Sequence, residues 1–440
     1  MITEGVVRAR LANGLSVLLK EVHAAPVGSV WVWYRVGSRH DPPGRTGASH
    51  WVEHMMFRGT ERFPQGVADR LISRVGGYSN AMTYLDWTAY FATLPAAELD
   101  LALEIEADRM ANARFEPEEV EVERTVIISE RQGMEGSPVF HLHEAVHAAA
   151  FAAGGYRHHT IGSLADLQAM TAEDLARHYR RYYNPQNATL VVVGDFEAQA
   201  MLGRIERAFG HLASRPIGEP AAVGELVEPT ASSVEPPAGE PVEPRRVQLT
   251  GPEPTAYVMA AYQAPPATHP DFFPAAIADT LLGGPRSLAL FDDGGPARTA
   301  RLSKALVDTG LASDVSSFLL PTVDPYLLIV LATVQAGRQP EEVEAALLAE
   351  VERLAREPVS ADELRRAVHQ ARAQFAYSAE SVTDQAYWLG FSQTVADLGW
   401  LEGFLPALAA VTAEDVQRVA AAYLTSSRCL VGVYRPQPRQ

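Results

Sequence analysis

The stretch Gly47-Ala-Ser-His-Trp-Val-Glu-His-Met-Met-Phe-Arg-Gly-Thr60 decides how the rest of the chain is read, and its centre is His50-x-x-Glu53-His54. On a helix, side chains four residues apart share a face, so His50 and His54 can converge on one ion with Glu53 beside them. Neutral imidazole suits zinc, and a zinc site with three protein ligands keeps a fourth position for water. A carboxylate within reach of that water can take its proton. Two surface histidines on an amphipathic helix are the bland alternative, and a third ligand elsewhere in the chain separates the two readings.

Working outward, residues 6 to 11 and 15 to 21 read as strands about the hairpin signal Asn13-Gly14, and 27 to 36 as a third strand rich in Val, Trp and Tyr. The loop at 37 to 46 leads into the histidine helix, and Gly59-Thr60 ends it. Residues 65 to 75 predict a second helix, stopped by Gly76-Gly77, and 78 to 95 two more strands. Residues 96 to 113 and 117 to about 150 carry long helical patterns, the second with Pro117 in its first turn. Thr171-Ala-Glu-Asp opens a capped helix to Tyr183, Asn184-Pro185-Gln186-Asn187 breaks it, and a strand at 188 to 194 and a helix at 197 to 209 follow.

Between 213 and 244 Gly, Pro, Glu, Ala and Ser dominate, which reads as a linker without a core of its own. Beyond it the pattern returns. Met170-Thr-Ala-Glu-Asp-Leu175 is echoed by Val411-Thr-Ala-Glu-Asp-Val416, each followed by a helix ending near a Tyr, a polar break and an apolar strand. The reading is a duplicated α+β unit: residues 1–212 carrying the histidine motif, 213–244 a linker, and 245–440 a homologous half without a metal motif.

Composition bounds the rest. A chain of 440 residues exceeds one ordinary core, and 47% apolar residues are ample for burial. A net charge of −17 argues against a nucleic-acid surface and favours solubility, a stronger explanation than complementarity to basic substrates. The single cysteine, Cys429, permits no intrachain disulfide and no Cys-based metal site, and its apolar surroundings predict a buried thiol. No signal peptide is visible at the N-terminus and no apolar run is long enough to span a membrane, so the expected compartment is the cytoplasm.

A third ligand is sought in the helix from 117, which offers Glu118, Glu119, Glu121, Glu123 and Glu130. Glu123 and Glu130 are seven apart, two turns on one face, and Val122, Val126 and Ile127 predict partial burial. The run at 118 to 121 reads as a solvated face. Composition and spacing alone do not choose Glu130 over its neighbours.

With these residues in view, the chain resembles the pitrilysin/insulinase family of zinc peptidases, the inverted H-x-x-E-H class. The resemblance rests on His50-x-x-Glu53-His54 with Glu130 76 residues on and Glu123 seven before it, on nearly all of Gly47 to Thr60, on Gly76-Gly77-Tyr-Ser-Asn80-Ala81-Met-Thr83, and on Tyr182-Tyr183-Asn-Pro-Gln-Asn187. It implies two homologous domains, each an antiparallel-rich sheet covered by helices, facing each other as a clamshell. It implies zinc held by His50, His54 and Glu130, and Glu53 as general base on the zinc water. Glu123 would support the site or take part in catalysis. Asn80 and Ala81 would lie on a strand edge where a peptide substrate adds as an extra strand; for Asn80 the alternative is a turn residue after the glycine pair.

One departure matters. The family's second half carries an Arg and, seven residues on, a Tyr at the end of Gly-Leu-Ala-Tyr, which hold substrate and steady developing charge. Here the matching stretch runs from Arg301 to Ser313: Ser313 stands at the Tyr position, Leu306 or Val307 at the Arg position, and an apparent insertion, 291 to 297, precedes it. The favoured explanation is a heterodimer with a homologous zinc-lacking subunit that supplies the pair, a homodimer being possible. The others are a weak peptidase alone, or substitution by Arg298, Arg301 or Lys304. The competing reading of the whole chain is a non-catalytic structural or assembly subunit of the same fold. The histidine pair His158-His159 reads as loop structure, since adjacent residues point apart.

Overall fold

The computed structural model describes residues 2–152, 154–214, 245–285 and 298–437. The linker from 215 onward and the apparent insertion at 291 to 297 therefore lie outside the described residues. The strands are β1 (Val7–Arg10), β2 (Ser16–Glu21), β3 (Val27–Tyr34), β4 (Tyr78–Thr83), β5 (Thr88–Pro95), β6 (Ala188–Gly194), β7 (Arg245–Gly251), β8 (Tyr257–Ala264), β9 (Ala312–Leu319), β10 (Tyr326–Val334) and β11 (Cys429–Pro436). The helices are α1 (Ala48–Phe57), α2 (Val67–Arg74), α3 (Leu99–Asn112), α4 (Pro117–Glu135), α5 (Pro138–Ala150), α6 (Leu164–Ala169), α7 (Ala172–Tyr182), α8 (Ala198–Phe209), α9 (Phe272–Gly283), α10 (Pro340–Arg356), α11 (Ala361–Tyr377), α12 (Val382–Val395), α13 (Leu398–Ala410) and α14 (Ala413–Tyr423).

The architecture is α+β with two sheets. The first has the order β1-β2-β6-β3-β5-β4 and the second β7-β11-β8-β10-β9. In the first, β2 and β6 run parallel and every other neighbour is antiparallel. In the second, β7 and β11 are the parallel pair and the rest are antiparallel. Strand for strand, the second sheet repeats the first without β1, so the duplication heard in the two Thr-Ala-Glu-Asp words extends to topology. Both words open helices with the same capping box, Thr171 with Asp174 and Thr412 with Asp415.

The chain forms two compact units. One comprises Met1–Gln132, His158–Ala222 and Ala379–Glu402, the other Gly133–Arg157, Val223–Ser378 and Gly403–Gln440, each taken over its described residues. Each unit thus includes a segment from the opposite half of the sequence. In the first, α12 packs on β3 and β6. Tyr387 meets Trp31 and Trp33 with ring centroids 5.9 and 5.4 Å apart, and Trp31 stacks on Phe91 at 4.2 Å. Gly390 allows this approach: a Cβ there would lie 2.0 Å from Trp33 Nε1. The opposite face of β3 takes α3, with Leu99 against Gly28. Cover on both faces explains why β3 and β6 read as unbroken apolar runs instead of alternating. Full burial of rings of this size contributes about 2–3 kcal/mol each.

In the second unit α5 plays the part of α12. It packs on β11, where a Cβ on Gly432 would sit 2.6 Å from Val146 Cγ2. The helical pattern from 117 to 150 is therefore two helices, not one. The chain breaks at Gly136-Ser137, and Pro138 begins α5 at a position where its missing N–H costs nothing. Cys429 is buried, as its surroundings predict. Among the described residues no helix is long and apolar enough to cross a membrane.

Candidate metal centre

Helix α1 is fixed at its start. Gly47 at its start has φ +90° and no room for a Cβ, which would lie 2.5 Å from the Ile161 carbonyl. The Asp41 carboxylate accepts from Gly47 N at 2.7 Å, Ser49 N at 2.8 Å and Ser49 Oγ at 2.7 Å, satisfying donors that a helix start leaves open. His178 Nε2 lies 3.1 Å from the same hydroxyl. Trp51, Val52, Met55 and Met56 are buried, and the Arg124 guanidinium lies 4.9 Å over the Trp51 ring. With that face inward, His50, Glu53 and His54 occupy the adjoining one.

Helix α4 brings the carboxylates. Val120, Glu123, Ile127 and Arg131 form its buried stripe, whereas Glu118 and Glu121 are exposed. Glu130 Oε2 lies 3.8 Å from His50 Nε2 and 3.6 Å from His54 Nε2. The ligand atoms of His50, His54 and Glu130 all fall within 4.8 Å of one another, the one such group among the described residues. Three ligands of a tetrahedral zinc would sit about 3.3 Å apart, so the donor set fits that ion in both chemistry and spacing. The Glu130 side chain is 40% exposed against 14% and 22% for the two histidines, so the site opens on its side.

Glu123 holds His54 from behind: its Oε1 lies 2.7 Å from His54 Nδ1, and its Oε2 accepts from Arg58 Nε at 2.5 Å. This leaves His54 Nε2 facing the cluster, with its tautomer set by the carboxylate. Burial opposes a charged His54, but the Glu123 hydrogen bond and the nearby carboxylates outweigh it and raise its pKa. Burial also works against the Glu123 anion, yet the bonds from His54 and Arg58 keep its pKa below the usual range. His50 is the reverse case: burial first, then the neighbouring His54 ring, lowers its pKa to about 3 and keeps it neutral. Burial raises Glu53 to about 6 against the pull of a hydrogen bond from Thr83 Oγ1, 2.5 Å from Glu53 Oε2.

Asn80 and Ala81 lie in β4, at the end of the first sheet, so Asn80 is a strand residue and not part of a turn. Its Oδ1 accepts from the Ala81 N–H at 2.9 Å. In the second unit Arg301 is committed to Glu363 by two hydrogen bonds of 2.8 Å, while Arg298 and Lys304 are exposed. Leu306 is buried in a short π-helical turn, and Ser313 Oγ donates to the Thr333 carbonyl at 3.4 Å. His158 and His159 make local loop contacts, including Ile161 N to His159 Nδ1 at 3.3 Å. Sequence reasoning assigned no role to Arg58 or Thr83. Arg58 lies four residues after His54, so helical spacing puts it on the same face; nothing local marks Thr83.

The order His50-x-x-Glu53-His54 is that of the inverzincin motif, here in the first half of a duplicated α+β fold. Residues 16–163 match the family described as Insulinase (Peptidase family M16), and residues 169–371 match the Peptidase M16 inactive domain. The chain belongs to this family. Zinc protease PqqE of Helicobacter pylori is 27% identical over 97% of this chain and 92% of its own length. The beta subunit of the mitochondrial-processing peptidase of Lentinula edodes is 27% identical over 94% of this chain and 86% of its own. The crystal structure of a protease from Helicobacter pylori superposes with a TM-score of 0.89 at 25% identity, covering 98% of this chain and 99% of that one.

Proposed function

We propose that the chain is a zinc-dependent endopeptidase acting on peptides or unfolded polypeptides, with His50, His54 and Glu130 as metal ligands and Glu53 as general base. The convergence of those three side chains from two helices, with Glu53 on the same helix face, is the observation that carries the reading. Zinc, when bound, supplies a Lewis acid that brings the pKa of a coordinated water towards neutrality. Glu53 takes the proton of the attacking water and passes it to the leaving amine. Glu123 orients His54 through Nδ1, and Arg58 orients Glu123. The outer edge of β4, with Asn80 and Ala81, receives the substrate as an added strand held by backbone hydrogen bonds, a mode tolerant of sequence.

The second half is assigned a homologous role without metal. A partner chain of the same fold supplies the Arg and Tyr that this half lacks, the domains being 1–212 and 245–440 joined by 213–244. Two observations support this: Arg301 is already paired with Glu363, and a relative of similar length is named as a subunit. The test is turnover of unstructured peptides by the purified chain, with and without a co-expressed homologous chain, beside Glu53→Gln. Glu53→Gln is expected to keep its zinc and lose at least about a hundredfold in rate. Zinc-free protein, or turnover unaffected by Glu53→Gln, would overturn the reading.

A further inference from the structure

β4 closes one end of the first sheet, and among the described residues no strand pairs with its outer side. Tyr84 N donates to Trp87 O at 2.8 Å across the β4–β5 turn. In an antiparallel ladder, hydrogen-bonded pairs recur every second residue, so Met82, Asn80 and Tyr78 bond to β5. Ser79, Ala81 and Thr83 consequently turn their N–H and C=O groups to the free edge. Ala81 agrees: its N–H goes to the Asn80 side chain instead of to β5. Side chains alternate along a strand, so Ala81 and Thr83 share one face, the face towards α1. There the Thr83 hydroxyl donates to Glu53 Oε2 at 2.5 Å.

We infer that Thr83 is a positioning residue for Glu53, and that it ties the orientation of this carboxylate to the strand edge on which a polypeptide pairs. The inference rests on the peptidase reading above and deepens it. One residue presents its backbone to the incoming chain and its hydroxyl to the base. The hydroxyl commits Glu53 Oε2 as an acceptor and leaves Oε1 to receive the proton of the attacking water. A peptide paired with the edge hydrogen-bonds the backbone of Thr83 and restrains the residue that aims Glu53. Docking and alignment of the base thereby become one event. Until a chain arrives, Asn80 Oδ1 satisfies the Ala81 donor that the peptide will use.

The experiment compares Thr83→Val, Thr83→Ser and Glu53→Gln with the unaltered chain, measuring zinc content, kcat and KM on an unstructured peptide. Thr83→Val is nearly isosteric and replaces the hydroxyl with a methyl group. It is expected to lower kcat roughly 10–100-fold, the usual effect of losing an outer-shell hydrogen bond, with zinc content and KM unchanged. Thr83→Ser keeps the hydroxyl and is expected to restore most of kcat. If Thr83→Val turns over like the unaltered chain, or Thr83→Ser falls as far as Thr83→Val, or Thr83→Val loses its zinc, the inference is overturned while the peptidase reading stands. Full turnover by Glu53→Gln, or none by the unaltered chain with or without a homologous partner, overturns the reading beneath it.

Discussion

Glu123 divides its carboxylate between His54 of α1 and the C-cap Arg58 of the same helix, Oε1 to the first and Oε2 to the second, although it lies 69 and 65 positions away from them. Arg58 fixes the carboxylate, and the carboxylate fixes the imidazole. Removing the guanidinium leaves Glu123 held by His54 alone, without touching a proposed zinc ligand. Arg58→Ala is therefore expected to weaken zinc binding roughly 10–100-fold, measured by competition with a chromophoric chelator, and Arg58→Lys to weaken it less. Unchanged zinc affinity in Arg58→Ala would count against the relay.

His178 gives a pH dependence of folding that can be isolated by one substitution. It is buried beside Ser49, and burial, followed by Arg181, pushes its pKa down to about 3. The unfolded chain binds a proton near pH 6.5 and the folded chain does not until about 3, so this histidine favours folding fully above 6.5 and loses that contribution as pH falls. At pH 5 the loss is about 2 kcal/mol. Asp41 runs the other way, since burial raises it to about 6, but it is present in both chains of a comparison with His178→Asn. The difference in urea midpoint between the two proteins is expected to shrink as pH drops from 7 to 5. A pH-independent difference would contradict the assignment.

Gly390 tests how closely α12 is seated. A methyl group there would overlap the Trp33 indole, and the ring and the helix residues around it are buried. Gly390→Ala would gain helix propensity of about 1 kcal/mol on an exposed helix. Here overpacking is expected to dominate, with a net loss of about 1–3 kcal/mol in thermal or denaturant unfolding. A stabilised variant would show that the contact relaxes easily.

The two histidines and Glu53 were legible because helical spacing is local: four residues suffice to place one ring beside another. The strands of the first half and the capping box at Thr171 were legible for the same reason, and the duplication from a repeated Thr-Ala-Glu-Asp word; β9 and β10 were not read. Glu130 was not, since α4 carries several glutamates and only its packing against α1, far off in sequence, distinguishes them; the family resemblance supplied that choice. The break between α4 and α5 was hidden because apolar positions recur on both sides of Gly136-Ser137. Thr83 is invisible locally, because its partner lies 30 residues away and depends on which way β4 turns its faces. The consecutive burial of Ala386 through Ser392 in α12 reflects a helix surrounded on all sides, a signal present in its composition that says nothing about which sheet receives it.

The exchange of α5 and α12 between the two halves also sets a timetable for synthesis. The face of β3 that bears Trp31 and Trp33 is finished, with β6 beside it, when residue 194 leaves the ribosome, yet the helix that covers it ends at 395. At about 5–20 residues per second those tryptophans wait roughly 10–40 s for their cover. During that interval the nascent first half carries an apolar surface suited to capture by a chaperone.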